Sequence, residues 1–245
     1  MSTGCIIGLA GAIGSGKSKV AAYIYCMYAA ERYSIALPLK QIAKVFNFTD
    51  AQIFGTQEQK QEVNAFWGVS GREFMQKLGT EIFRDTIPRV LPNMSNPWVR
   101  LAESRACAAL RANKLLVIDD VRFNDEAQMI AKLRGITIRI IRPSTGLKNL
   151  STMAINTAEM ETDIKPVIVY PVDEMEIIEP INKLSLSQPA IHASERQEFN
   201  TNYTIMNTGT LDDLYDQVDK IMNTLGIFSP LPRSHRAILP ENMWP

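Results

Sequence analysis

The chain has 245 residues, its 26 lysines and arginines balance 26 aspartates and glutamates, and 46% of its positions are apolar. That length can bury a substantial core, while the charge balance removes any global electrostatic case for nucleic acid or an acidic membrane as partner. No apolar run approaches the roughly 20 residues that span a bilayer, no charged-then-apolar leader opens the chain, and Cys5, Cys26 and Cys107 lack metal-binding spacing, so a cytoplasmic protein with reduced cysteines is expected.

In chain order, Cys5-Ile6-Ile7-Gly8-Leu9-Ala10 reads as a buried strand. It enters Gly11-Ala12-Ile13-Gly14-Ser15-Gly16-Lys17-Ser18, a complete G-x-x-x-x-G-K-[ST] loop, and residues 19–28 continue as a helix. Residues 33–37 read as a short strand broken by Pro38, followed by a helix with Leu39, Ile42, Ala43, Val45 and Phe46 apolar. A polar, Gln- and Glu-rich stretch carries an expected helix over 57–66. Ser70 and Glu73 have capping-box spacing and open a helix with Phe74, Met75, Leu78, Ile82 and Phe83 on one side. Prolines 88, 92 and 97 are expected to interrupt the chain before a helix over 98–111. Lys114-Leu115-Leu116-Val117-Ile118-Asp119-Asp120 is the clearest strand, an apolar run ending in two carboxylates. A helix over 125–134, a strand over 136–142, a last strand over 203–207, a helix over 211–225 and an extended tail from Ser229 complete the pattern. Strands alternating with helices imply an α/β fold with a central parallel sheet covered on both faces.

The glycine loop predicts a nucleotide site. Successive backbone N–H groups can converge on one anion, and the following helix adds its positive end. Gly11, Gly14, Ser15, Gly16, Lys17, Ser18 and Lys19 are the expected cradle for ATP, with Lys17 catalytic on the β- and γ-phosphates and Ser18 on Mg²⁺. Asp119 and Asp120 stand at a strand end, where open α/β sheets bind ligands. One is expected to face the metal, for which Asp119 is taken, and the other to position the acceptor. Arg72, Arg84, Arg122, Arg139 and Arg142 lie near element ends and suit phosphate, with Arg142 placed on the ATP side and Arg139 read as structural. Only His192 and His235 are present, with no Cys/His cluster, which argues against zinc and against a Ser-His-Asp device.

Beyond these features the sequence resembles the deoxynucleoside monophosphate kinases of large tailed bacteriophages and related viruses. The resemblance rests on Ala36-Leu37-Pro38-Leu39-Lys40, on Arg72 through Glu81, on Trp98-Val99-Arg100-Leu101, on Asp120-Val121-Arg122 with Glu126, on Ile141-Arg142-Pro143, and on His192-Ala193-Ser194-Glu195. It implies that Lys40, Arg72, Gly79, Thr80, Trp98, Asp120, Arg122 and Glu126 hold a deoxynucleoside monophosphate, with Asp120 and Arg122 catalytic. Trp98 would stack on the base, unless it is an ordinary core aromatic. The implied reaction passes the γ-phosphoryl group of ATP-Mg²⁺ to the acceptor in a P-loop kinase domain, residues 1–228, with 143–195 as a lid-like insertion and 229–245 as a tail. A viral source would place it in host cytoplasm; the oligomeric state is left open, with a homodimer as the candidate. A long insertion departs from the family's short lid, which leaves its lid arginine open, Arg196 being marked by position alone. The competing expectations are a kinase of another phosphorylated acceptor, such as dephospho-coenzyme A or phosphomevalonate, and a nucleotide-gated assembly protein.

Overall fold

The computed structural model describes residues 4–143 and 199–238, all in one compact unit. Strand β1 (Cys5–Ala10) leads through the glycine loop into α1 (Lys17–Met27), and β2 (Glu31–Tyr33) follows. Helices α2 (Leu37–Val45), α3 (Asp50–Phe54), α4 (Gln57–Gln61) and α5 (Gly71–Gln76) form an arm. The last of these widens into a π-helix (Lys77–Thr86) and ends in α6 (Ile87–Val90). Then come α7 (Pro97–Arg111), β3 (Leu115–Val121), α8 (Asn124–Lys132) and β4 (Ile136–Ile141). β5 (Tyr203–Met206), α9 (Leu211–Thr224) and a closing 3₁₀ turn (Arg233–Ile238) end the described chain.

The five strands pair in the order β2-β3-β1-β4-β5, and every pairing is parallel. β1 is central, so both of its faces must be apolar, and the alternation of its side chains divides the core in two. Ile7 and Leu9 pack with α1 and α9 through Val20, Ile24, Leu214 and Val218. Ile6 packs with α7 and α8 through Ala102, Ala106 and Ile130. Gly8 keeps that second layer close, because a Cβ there would lie 2.5 Å from Ile130 Cδ1. A smaller cluster of Ala43, Phe48 and Ile53, flanked by Phe74 and Met75, holds the arm together.

Several sequence expectations shift. The second strand lies at Glu31–Tyr33, not 33–37. Pro38 falls in the first turn of α2, where its missing N–H is harmless and its fixed φ favours a helix. Pro88 likewise sits in the first turn of α6 and does not interrupt the chain. The helix expected over 57–66 stops at Gln61. Beyond it, Asn64 Oδ1 accepts from the N–H groups of Phe66 and Trp67, a local alternative to helix, and Gly68 turns the chain at φ 69°. Ser70 does cap α5, its side chain accepting from Glu73 N at 3.1 Å. The tail from Ser229 forms the 3₁₀ turn rather than remaining wholly extended. The motif 192–195, Arg196 and the insertion from residue 144 onward lie outside the described residues.

Candidate active site

The glycine loop emerges from the carboxyl end of β1. Its glycines are structural necessities: Gly11 has φ 143° and Gly16 φ 109°, a region side chains rarely adopt. A Cβ on Gly11 would sit 2.3 Å from Ile140 O, and one on Gly16 would sit 2.6 Å from Asn207 Nδ2. Gly14 also has positive φ, at 76°, with open space around it. Asn207, just past β5, donates from Nδ2 to Ser15 O at 2.8 Å and pins the loop from the far side of β4. Lys17 Nζ donates to Gly11 O and Ala12 O, both at 2.7 Å, and so lies along the loop. Ser15 is 2% exposed, and its Oγ has no hydrogen-bond partner among the described residues. An orphaned hydroxyl inside a curled glycine backbone at a helix N-terminus fits a polyphosphate. Ser18 and Lys19 are exposed in the first turn of α1, and Arg142 is exposed just past β4.

The two carboxylates ending β3 have separate partners. Asp119 is ion-paired with Arg32 of β2, which donates from Nε and the guanidinium end to Oδ2. Burial, reinforced by the Asp120 charge, lifts the Asp119 carboxyl to about 6, with Arg32 and Lys40 opposing the rise. Asp120 instead ties down the β2–α2 turn, accepting from Ser34 Oγ at 2.6 Å, Ile35 N at 2.7 Å and Ala36 N at 3.0 Å. It therefore sets the start of the helix that carries Lys40. Among the described residues no group of three or more His, Cys, Asp and Glu side chains gathers to hold a metal. The residues suited to Mg²⁺ are the hydroxyl of Ser18 and the carboxylate of Asp119, a sparse set consistent with a metal that keeps waters and phosphate oxygens as its other ligands.

Lys40, Arg72 and Arg122 come from α2, α5 and the exit of β3, yet all three act electrostatically on Lys60 of α4. Burial, with those three cations, pushes the Lys60 ammonium below its ordinary value. Lys40 lies 5.1 Å from the Phe54 ring centroid and also acts on Asp119, which links this cluster to the carboxylate pair. Arg72 donates to Gln57 Oε1 at 2.9 Å.

Glu126 is 2% exposed and serves α8. Its carboxylate accepts from Arg122 N at 2.7 Å, from Phe123 N at 3.1 Å and from Arg84. Arg84 reaches across from the π-helix, bonds Asp125 as well at 2.8 Å and lies 3.8 Å from the Phe123 ring centroid. Glu126 thus positions the backbone of Arg122 rather than presenting a free carboxylate. Trp98 corrects the stacking expectation: it is 5% exposed, packs on Phe83 at 4.8 Å, and donates from Nε1 to Gly79 O at 2.8 Å. Its indole is a core residue that holds the π-helix, whose wide turns carry Gly79 and Thr80. Gly79 is buried against Leu39, 2.7 Å from where a Cβ would stand, while Thr80 is half-buried. Arg139 is structural, donating to Phe199 O at 2.7 Å.

Sequence reasoning missed Arg32, Lys60 and Asn207. Arg32 was hidden by placing β2 two residues late, since a strand at 31–33 would have displayed it beside β3. Lys60 sits in a polar run with no motif, and no local signal marks it.

No family model matches the chain. A protein of Acanthamoeba polyphaga mimivirus bearing the provisional name deoxynucleotide monophosphate kinase is 36% identical over 151 residues, 56% of this chain and 74% of that relative. Among solved structures, an unliganded sugar kinase from Janibacter sp. HTCC2649 aligns over 91% of this chain and 95% of its own, at TM-score 0.41 and 11% identity. A Thermus thermophilus protein aligns over 91% and 98%, at TM-score 0.43 and 15% identity. Similarity that distant leaves the architecture to the sheet order itself. Among the described residues no helix is long and apolar enough to cross a membrane.

Proposed function

The chain belongs to the deoxynucleotide monophosphate kinase family and is a phosphotransferase, and from that premise we propose that it transfers the γ-phosphoryl group of ATP-Mg²⁺ to a deoxynucleoside monophosphate. The observation that carries the acceptor assignment is the cation cluster. Several other cations are matched by carboxylates, as Arg32 is by Asp119, Arg84 by Asp125 and Arg105 by Glu31. Lys40 and Arg122 have no ion pair among the described residues, and they share one neighbourhood with Arg72. Such a concentration in a chain of balanced charge supports a bound anion, and a guanidinium fork suits a terminal phosphate.

In a parallel sheet the glycine loop, the β2–α2 turn and Arg122 all leave the same edge. The donor phosphates on the loop and the acceptor phosphate on the cluster therefore approach one another over the ends of β1 and β3. Lys17 turns from the loop carbonyls toward the transferring group, and Arg122 holds the acceptor. Ser18 and Asp119 would hold magnesium, which would supply charge neutralisation on the phosphate oxygens. No general base is needed, because a monophosphate is already ionised at neutral pH. Positioning and electrostatic stabilisation carry the rate.

A coupled ADP-release assay against the four common deoxynucleoside monophosphates tests this. At least one should accelerate ADP release many-fold over ATP alone, and Lys17→Ala should lower kcat by about 10²–10³ with an unchanged melting curve. ADP released at one slow rate with or without every monophosphate would overturn the proposal in favour of a nucleotide-gated hydrolase.

A further inference from the structure

Asn207 belongs to no segment that resembles the viral kinases, yet it is bonded on two sides. Its backbone N–H donates to Ile141 O at 2.7 Å, at the exit of β4. Its side chain donates from Nδ2 to Ser15 O at 2.8 Å. A carbonyl oxygen only accepts, so the nitrogen of the carboxamide is the atom that faces the glycine loop. The same carboxamide fills the space beside Gly16, where a Cβ would stand 2.6 Å from Nδ2 and 3.7 Å from Cγ.

That bond fixes a peptide plane. No peptide bond among the described residues is cis, so the Ser15 carbonyl and the Gly16 N–H point to opposite sides of one rigid unit. With the carbonyl turned out to Asn207, the Gly16 N–H is turned away from it and has no hydrogen-bond partner among the described residues. The Ser15 hydroxyl marks the inner side. It is buried and unpartnered, and its Oγ lies 2.9 Å from where a Cβ of Gly11 would stand, across the curl of the loop. Gly16, at φ 109°, has no Cβ to limit rotation of this plane. Without an outside hold, the plane could turn over and present an oxygen where an anion needs a donor.

We propose that Asn207 is a positioning residue for the donor phosphates: by holding Ser15 O outward it aims the Gly16 N–H into the loop, to donate to the polyphosphate of ATP. This rests on the reading of the glycine loop as the ATP site. The bond acts on the phosphate chain and not on base or sugar, so any polyphosphate seated in the loop feels it. Through Asn207 the end of β5 thereby sets a donor that the loop's own sequence leaves free to turn.

The test measures binding apart from turnover. Calorimetric titrations with ATP, inorganic tripolyphosphate and the four deoxynucleoside monophosphates, all with Mg²⁺, compare wild type with Asn207→Ala and Asn207→Leu. The leucine keeps the outline of the carboxamide and lacks its donor, and cooperative melting curves establish that each variant folds. ATP and tripolyphosphate should each bind about tenfold more weakly to both variants, the loss for one misdirected hydrogen bond to a charged group. Monophosphate affinity should stay within about twofold. In NMR spectra the Gly16 amide proton of wild type should move downfield as tripolyphosphate saturates the loop, and should move far less in Asn207→Leu. A loss with ATP but not with tripolyphosphate would put Asn207 on the nucleoside and overturn the proposal. Wild-type affinity in Asn207→Leu would overturn it too, since packing alone would then suffice. Equal binding of both polyphosphates by all three proteins would overturn the Asn207 role and leave the loop as the ATP site. Neither polyphosphate bound by wild type would overturn the ATP reading and this inference with it.

Discussion

Asp120 shows how one side chain can set the start of an element it does not belong to. Its three hydrogen bonds fix Ser34, Ile35 and Ala36, and with them the first turn of the helix bearing Lys40. Asp120→Ala strands two partly buried backbone donors, each worth about 1–3 kcal/mol when left unmet. Urea unfolding should show a loss of about 2–6 kcal/mol for the two donors together, and the acceptor KM should rise while the ATP KM holds. A fully stable Asp120→Ala variant would show that the turn does not depend on it. Glu126 makes a pH-dependent prediction. Burial lifts its carboxyl to about 7, against donation from the Arg122 and Phe123 N–H groups and the Arg84 charge, whereas an unfolded glutamate titrates near 4.3. A raised value in the folded chain means tighter proton binding there. The group's contribution to stability is therefore complete below about pH 4.3 and is lost as pH rises through about 7. Glu126→Gln carries no such proton, so its stability relative to wild type should improve steadily from pH 5 to pH 8. Parallel stability profiles for the two proteins over that range would refute the assignment.

At the scale of elements, the C-terminal turn straps α1 to α9. Asp219 of α9 accepts from Tyr23 OH at 2.7 Å and Tyr28 OH at 2.6 Å, both on or just past α1, and from Arg236 at 2.5 Å. Burial alone would raise the Asp219 carboxyl, but those donors hold it below the usual carboxylate range. Tyr23 also stacks on Tyr215 at 4.0 Å, and Ser229 Oγ donates to Met27 O. The strap grips the helix whose other end follows directly on the glycine loop. Removing Arg236 leaves Asp219 with two phenols and, for counter-charge, only the exposed Arg233 at 3.8 Å, so Arg236→Ala should destabilise by about 3 kcal/mol, in the range for breaking a buried pair. Asp219→Asn in that background should then add little, and a strictly additive cycle would mean the two do not interact. This strap was illegible in the sequence because its partners lie far apart along the chain: Tyr23 and Arg236 are 213 residues apart. What was legible was local. An apolar run entering glycines marks β1 and its loop, and an apolar run ending in carboxylates marks β3. The turn at Asn64 competes with helix through one side chain that propensity alone does not weigh, and Arg32 finds its carboxylate 87 residues away. The family motifs did converge on the β2–α2 turn, the π-helix and the β3–α8 junction. In this structure Asp120, Glu126 and Trp98 support those elements through the hydrogen bonds they make.

For the whole molecule, the strand order puts the reversal of chain direction beside β1: the path runs out to β2, returns through β3, then crosses to β4 and β5. Open parallel sheets bind ligands at such a point. Here Asn207, past β5, bonds the glycine loop from one side of β1, and the Asp119–Arg32 pair ties β3 to β2 on the other. In the proposed reading the donor and acceptor sites share an edge but not their ligating side chains, which predicts separable binding. Ligand that binds only the folded chain stabilises it by about 2.7 kcal/mol at 100 times its Kd, or about 5–10 °C in melting temperature for a chain of this size. In thermal-shift measurements ATP should raise the melting temperature of Arg72→Ala and Arg122→Ala as it does for wild type, and should fail to do so for Lys17→Ala. A deoxynucleoside monophosphate should give the reciprocal pattern, stabilising Lys17→Ala and losing its effect in Arg72→Ala and Arg122→Ala. A bisubstrate ligand that joins both halves should stabilise every single variant partly and wild type most. If Arg72→Ala or Arg122→Ala loses the ATP shift as fully as Lys17→Ala does, the cation cluster belongs to the donor phosphates, and the acceptor must lie elsewhere on this edge.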